Sequence, residues 1–206
     1  MRSPKARVHL CRLSSAAGVA VLRQAKAEGL PVTADVSVNS LHLTDMDVGY
    51  FNADMRLTPP LRQATDRAAL RAALADGTID ALVSDHNPVA EDMKNLPFGE
   101  AEPGATGLEL LLPLTLKWAR EMKVPLVTAL ARVTSDPARI LGVKAGSLAP
   151  GAAADICVFD PAAEFKVSRE NLRSQGKNTP FLGFEFPGRV RYTLIEGHLA
   201  FDGTLG

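Results

Sequence analysis

Three consecutive stretches decide the fold: Val8-His-Leu-Cys-Arg-Leu13, the segment from Ala16 to Glu28, and Val32-Thr-Ala-Asp-Val-Ser-Val38. The first is short, apolar and β-prone. The second has helical periodicity, with Ser14-Ser15 as N-cap and Gly29 as C-terminal stop. Pro31 opens the third, which again reads as a strand. Strand, helix and strand within the first forty residues predict a parallel pair joined by a right-handed crossover. Further along, Thr65-Asp66 predicts the cap of a helix from Arg67 to about Ala75, closed by Asp76-Gly77. The strand Asp80-Ala-Leu-Val-Ser84 follows and ends on Asp85-His86-Asn87-Pro88. Charged side chains at the C-terminal tip of a parallel strand are where α/β barrels carry their chemistry.

Between these units, periodicity disappears from Asn39 to Pro60, which predicts a functional loop of the kind compact domains rarely carry without purpose. A second irregular stretch runs from Val89 to Thr106. Helical patterns then occupy Gly107 to Met122 and Leu126 to Leu141, the latter interrupted at Ser135-Asp136-Pro137. After Gly146-Ser-Leu-Ala-Pro-Gly151 the texture changes. Ala154 to Asp160 and Arg189 to Phe201 read as antiparallel strands, the last pair turning at Glu196-Gly197. The reading is an α/β segment over residues 1–145 and a small β-domain segment with the C-terminal tail over 146–206.

Composition narrows the function. Lys+Arg and Asp+Glu number 23 each, and no basic run exists, so neither nucleic acid nor an anionic membrane is expected as a partner. Apolar stretches such as Leu108 to Leu114 fall far short of the ~20 residues that span a bilayer. The basic start, Met1 to Val8, lacks the apolar core of a signal peptide. Cys11 and Cys157 lack Cys-x-x-Cys spacing and read as buried free thiols of a cytoplasmic protein.

Six strings in order carry a resemblance: His9-Leu-Cys-Arg-Leu-Ser-Ser15, Thr58-Pro-Pro-Leu-Arg62, Leu74-Ala-Asp-Gly-Thr-Ile-Asp80, Ser84-Asp-His-Asn-Pro88, Gly104-Ala-Thr-Gly-Leu-Glu109 and Gly176-Lys-Asn-Thr-Pro-Phe181. Gly146-x-Leu-x-x-Gly151-x-x-x-Asp155 followed by Val158-Phe-Asp160 adds a seventh. Together they resemble the C-terminal half of class I dihydroorotases, cyclic amidohydrolases of pyrimidine biosynthesis. The fold this implies is α/β: the C-terminal part of a metal-dependent-hydrolase (β/α)8 barrel plus a segment of a small β-sandwich. A complete barrel takes about 250 residues. The segments at Val8, Val32 and Asp80 would be its sixth, seventh and eighth strands, with the remaining metal ligands expected before Met1. A part-barrel of this kind should leave sheet edges and apolar faces uncovered.

The resemblance also implies a site. Zinc at the barrel mouth would polarise an amide and acidify water, held partly by a sixth-strand histidine and an eighth-strand aspartate. The aspartate is kept as Asp85, but the histidine position holds Arg12, whose guanidinium has no lone pair for a metal. The family's substrate-contacting asparagine and histidine are replaced by Thr58 and Val89, and the substrate-loop pair is Pro103-Gly104, keeping Gly104 alone. A bidentate Asp85–Arg12 ion pair across the mouth is expected in place of metal. His9 reads as a packing residue facing away from Arg12, and His86 as a structural hydrogen-bonding residue. His42, in the long loop, and His198, in the hairpin, read as surface or packing residues. Asp35, Asp45, Asp47 and Asp54 read as solvated surface.

Two functions follow from the resemblance. The first is a noncatalytic dihydroorotase-like chain without a cofactor, assembling as an oligomer with the aspartate carbamoyltransferase catalytic subunit. The alternative is an active zinc-dependent dihydroorotase, with Asp85 as metal ligand and proton shuttle and Gly104 against substrate.

Overall fold

The computed structural model describes residues 6–203. The basic opening at residues 1–5, weighed above as a leader, and the tip of the C-terminal tail at 204–206 lie outside the described residues. In chain order the elements are β1 (Val8–Leu10), α1 (Ala16–Ala27), β2 (Val32–Ser37), α2 (Val38–His42), α3 (Ala64–Asp76), β3 (Ala81–Val83), α4 (Glu91–Lys94), α5 (Leu111–Met122), α6 (Leu126–Ala131), α7 (Ser135–Leu141), β4 (Ile156–Lys166), β5 (Glu185–Ile195) and β6 (His198–Asp202). Strands β1, β2 and β3 form a parallel sheet in sequence order, with Leu10 beside Ala34 and Asp35 beside Ala81.

Local chemistry explains the first unit. The Ser15 hydroxyl accepts the Gly18 N–H at 3.1 Å and starts α1. Side chains alternate along β2, so Ala34 and Val36 face the helices, where they are fully buried with Val19 and Leu22 of α1 and Leu70, Ala73 and Leu74 of α3. Thr33, Asp35 and Ser37 point to the other face. Asp80 locks the register below β3: its Oδ2 accepts the Ala34 N–H at 2.9 Å while Lys26 Nζ lies 2.7 and 2.8 Å from its two oxygens.

The second sheet is antiparallel, β4-β5-β6, with β5 lying against α5. Both sheets draw on one apolar cluster. Trp118 and Leu114 of α5 bury against the first layer, and Val167, Leu172, Phe181 and Phe186 join the same cluster from the second. Phe181, Phe184 and Phe186 sit with ring centres 5.7–6.0 Å apart. Among the described residues β1 is paired on one side only, and its Val8 and Leu10 are 47% and 39% exposed.

Several expectations are corrected here. The stretch from Asn39 to Pro60 is not irregular throughout. It begins as α2 and continues through short 3-10 turns at Asp45–Val48 and Ala53–Met55, held by local caps too short to show periodicity. Thr65-Asp66 does not cap α3, which begins at Ala64; the Asp66 carboxylate instead accepts the Ala16 N–H of α1 at 2.8 Å. Cys11 and Cys157 are exposed rather than buried, Cys157 beside a likewise exposed Val158 on β4.

His42 is also not a loop residue. It lies in α2, and its Nε2 lies 3.0 Å from the Leu114 carbonyl oxygen, bridging α2 to α5. Its Nδ1 is shut off from solvent without a partner. Burial lowers its pKa from 6.5 to about 4, with Arg71 and Lys117 pushing the same way against the Leu114 carbonyl and Glu121. The unfolded chain therefore binds more protons than the folded one between these values, so stability falls as the pH drops from 6.5 toward 4. Denaturant melts across this window should show that slope, and His42→Gln, which keeps a donor for Leu114 and cannot titrate, should flatten it.

Candidate functional site

The C-terminal tips of β1, β2 and β3 open on one side of the parallel sheet, and the sequence-predicted residues gather there in part. Asp35 organises the tip of β1. Its Oδ1 accepts the Arg12 N–H at 2.7 Å and its Oδ2 lies 2.9 Å from His9 Nε2. Asp35 is 6% exposed, which corrects its reading as solvated surface: a carboxylate this deep persists because it is bonded on both oxygens. The backbone at Arg12 turns into the left-handed region, φ +54°, and Asp85 does the same at φ +49°. Non-glycine residues held there are strained, and such strain collects at functional sites.

These turns bring the two side chains together. Arg12 Nη1 lies 3.4 Å from Asp85 Oδ1 and donates to the Thr58 carbonyl oxygen at 3.0 Å. The pair is single-pronged, not the bidentate fork expected, because the guanidinium divides its donors between Asp85 and the backbone of Thr58. With Arg12 about half exposed, the contact is worth at most about 1 kcal/mol. A cation on Asp85 would meet this guanidinium, which carries like charge and offers no lone pair. At the Arg12 and Asp85 positions the described residues thus offer a metal one carboxylate already engaged, and these two positions do not fit the zinc site that the resemblance implies.

The surrounding loops are built for closure. Val89 is buried, and its N–H donates to the Asn178 side-chain oxygen at 2.9 Å. Asn178 in turn donates to the Gly104 carbonyl at 3.0 Å, and its own carbonyl accepts the Thr106 N–H at 2.7 Å. Gly104 has φ +145°, and a Cβ there would stand 2.5 Å from the Asn87 carbonyl oxygen. Gly176 passes so near Pro88 that a Cβ would lie 2.4 Å from the proline Cβ. The string from Gly176 to Phe181 therefore staples the loops after β3 to one another. His86 Nδ1 accepts the Gly107 and Leu108 N–H groups, each at 3.2 Å.

Beside this staple lies a cleft of about 570 Å³ lined by Asp54, Glu91, Lys94 and Arg169 among others. Burial raises the Asp54 pKa, opposed by Lys94, and burial lowers that of Lys94, opposed by Asp54. Asp54 is thus also less solvated than expected, whereas Asp45 is exposed and Asp47 caps Thr44 from the surface. His198 is exposed in β6 and away from the mouth. Sequence reasoning missed the roles of Asn178 and Asp35. A polar residue at an inward position of a strand was the available sign for Asp35; for Asn178 there was only its place in a quoted string.

The architecture is a parallel βα sheet with charged side chains at its strand tips, joined to a small antiparallel sheet. The amidohydrolase family profile matches residues 6–200, and the chain belongs to that family. It is 45% identical over 197 residues to a dihydroorotase-like protein of Pseudomonas aeruginosa, covering 96% of this chain and 46% of that protein. It is 40% identical over 195 residues to a dihydroorotase of Geobacter sp. (strain M21), covering 95% of this chain and 46% of the relative. The chain thus spans about half the length of the curated relatives it matches. An L-hydantoinase from Arthrobacter aurescens superposes with a TM-score of 0.87 at 29% identity, over 95% of this chain and 45% of that one. A dihydropyrimidinase from Brevibacillus agri, at 23% identity, shares the fold with a TM-score of 0.89 over 96% of this chain and 45% of its own. The three parallel strands are accordingly the C-terminal part of a (β/α)8 barrel. No helix among the described residues is long and apolar enough to cross a membrane.

Asn178→Ala would leave the Val89 N–H and the Gly104 carbonyl without partners in a buried setting. It should lower stability by about 2–4 kcal/mol, read as a drop in thermal midpoint, and speed hydrogen exchange at Val89 before the core strands.

Proposed function

We propose that this chain is part of a dihydroorotase-like protein that no longer hydrolyses the ring amide and serves instead as a structural partner of the aspartate carbamoyltransferase catalytic subunit in a cytoplasmic mixed oligomer. The observation that carries the reading is Arg12 Nη1 at 3.4 Å from Asp85 Oδ1. Where the family resemblance calls for an imidazole, this chain has a permanently protonated group already in contact with the remaining ligand position. The loop residues point the same way. Val89 is buried with its backbone engaged by Asn178, and Gly104 has both of its peptide groups in loop closure. The local supports present in this chain are meanwhile formed, from the Ser15 cap to the Asn178 staple. A site emptied of its chemistry on a well-preserved frame leaves the surface as the functional part.

The alternative, an active zinc-dependent dihydroorotase, draws on the retention of Asp85 at a strained strand tip and on relatives carrying the name dihydroorotase. In that reading Asp85 holds metal and shuttles a proton, and Gly104 borders substrate.

Two assays on the protein at its native length separate the readings. Dihydroorotate hydrolysis with added zinc should be indistinguishable from the buffer rate, and the protein should co-elute with the aspartate carbamoyltransferase of its own host. Zinc-dependent turnover abolished by Asp85→Asn would overturn the noncatalytic reading, and separate elution of the two proteins would overturn the partnership.

A further inference from the structure

We propose that His9, Cys11 and Asp35 form a binding site for one thiophilic divalent cation of the zinc class, made of other side chains than the Asp85 position. His9 and Cys11 are two residues apart at the end of β1, so their side chains leave the same face. Parallel register sets His9 beside Thr33 and so places Cys11 level with Asp35 on that face. A ring nitrogen of His9, the Cys11 Sγ and a carboxylate oxygen of Asp35 all lie within 4.8 Å of one another, with His9 Nε2 2.9 Å from Asp35 Oδ2. Bond lengths of about 2.0–2.3 Å to zinc put tetrahedral ligand atoms roughly 3.2–3.8 Å apart, so a small turn of the exposed Cys11 completes three corners. Solvent can supply the fourth.

Neighbouring groups already orient these donors. The Arg12 N–H holds Asp35 Oδ1 at 2.7 Å, which leaves Oδ2 to face His9. His9 Nδ1 lies 2.7 Å from the Thr33 hydroxyl, which can accept as readily as it donates. When the cation takes Nε2, the ring proton moves to Nδ1 and is received by Thr33, the arrangement that supports metal-bound imidazole. Cys11 gives up its thiol proton, so binding one cation releases one proton in all. The Arg12 side chain is itself engaged with Asp85. Mixed nitrogen, sulfur and oxygen donors suit zinc or cobalt(II) and disfavour magnesium and calcium. The site uses none of the residues that carry the noncatalytic reading apart from the Arg12 backbone, and the two stand or fall independently.

Cobalt(II) gives the test. Chelator-treated, reduced protein titrated with cobalt(II) should develop a thiolate-to-cobalt charge-transfer band that saturates at one equivalent and is displaced by zinc. Cys11→Ser, a near-isosteric change at an exposed position, should abolish the band. Cys157→Ser and Arg12→Ala should both retain it. Thr33→Val should weaken binding by roughly 10–100-fold. Absence of the band at one equivalent, or its persistence in Cys11→Ser, would overturn the proposal.

Discussion

Asp35 is the constraint on which the rest of this structure depends. A buried carboxylate must have both oxygens satisfied, and here one takes the Arg12 N–H while the other faces His9. That pair of contacts pins the tip of β1 to β2 and turns Arg12 into the left-handed conformation. The turn sends the guanidinium across the mouth to Asp85, and the Leu13 N–H continues the seam by bonding the Asp35 carbonyl at 2.9 Å. One side chain therefore settles the strand end, the direction of the residue at the ligand position, and the polar face on which His9 and Cys11 stand.

The two sides of the parallel sheet have different tasks. The helix side is an apolar layer in which Ala34, Val36, Leu82 and the buried leucines of α1 and α3 close against Trp118. The opposite side is polar at the strand tips and is roofed by loops that Asn178 and Gly176 hold at close quarters. Polar side chains at the strand tips contribute nothing to the apolar layer. The apolar frame and the residues at the mouth can therefore vary independently of one another.

Much of the fold was legible because it rests on local signals. The Ser15 cap, the glycines at positions 29 and 77, and the Glu196-Gly197 turn sit where the sequence places them, and the three parallel strands appear in order. The 3-10 turns after β2 were not legible, because elements of three or four residues have no period to detect. The proximity of Arg12 and Asp85 could be inferred from the family's strand positions, but the single-pronged contact depends on a backbone carbonyl at Thr58 that no sequence pattern reveals. The cluster of His9, Cys11 and Asp35 was hidden for a related reason: Cys11 read as buried, and strand register, which sequence does not give, is what sets it level with Asp35.

The central claim is that a guanidinium, and not a metal ion, stands beside Asp85. Anomalous diffraction at the zinc absorption edge, from crystals of the native-length protein grown with zinc, tests it most directly. The account predicts no anomalous peak within bonding distance of the Asp85 carboxylate and Arg12 in continuous density against it. A zinc peak coordinated by Asp85, with Arg12 swung away, would contradict it.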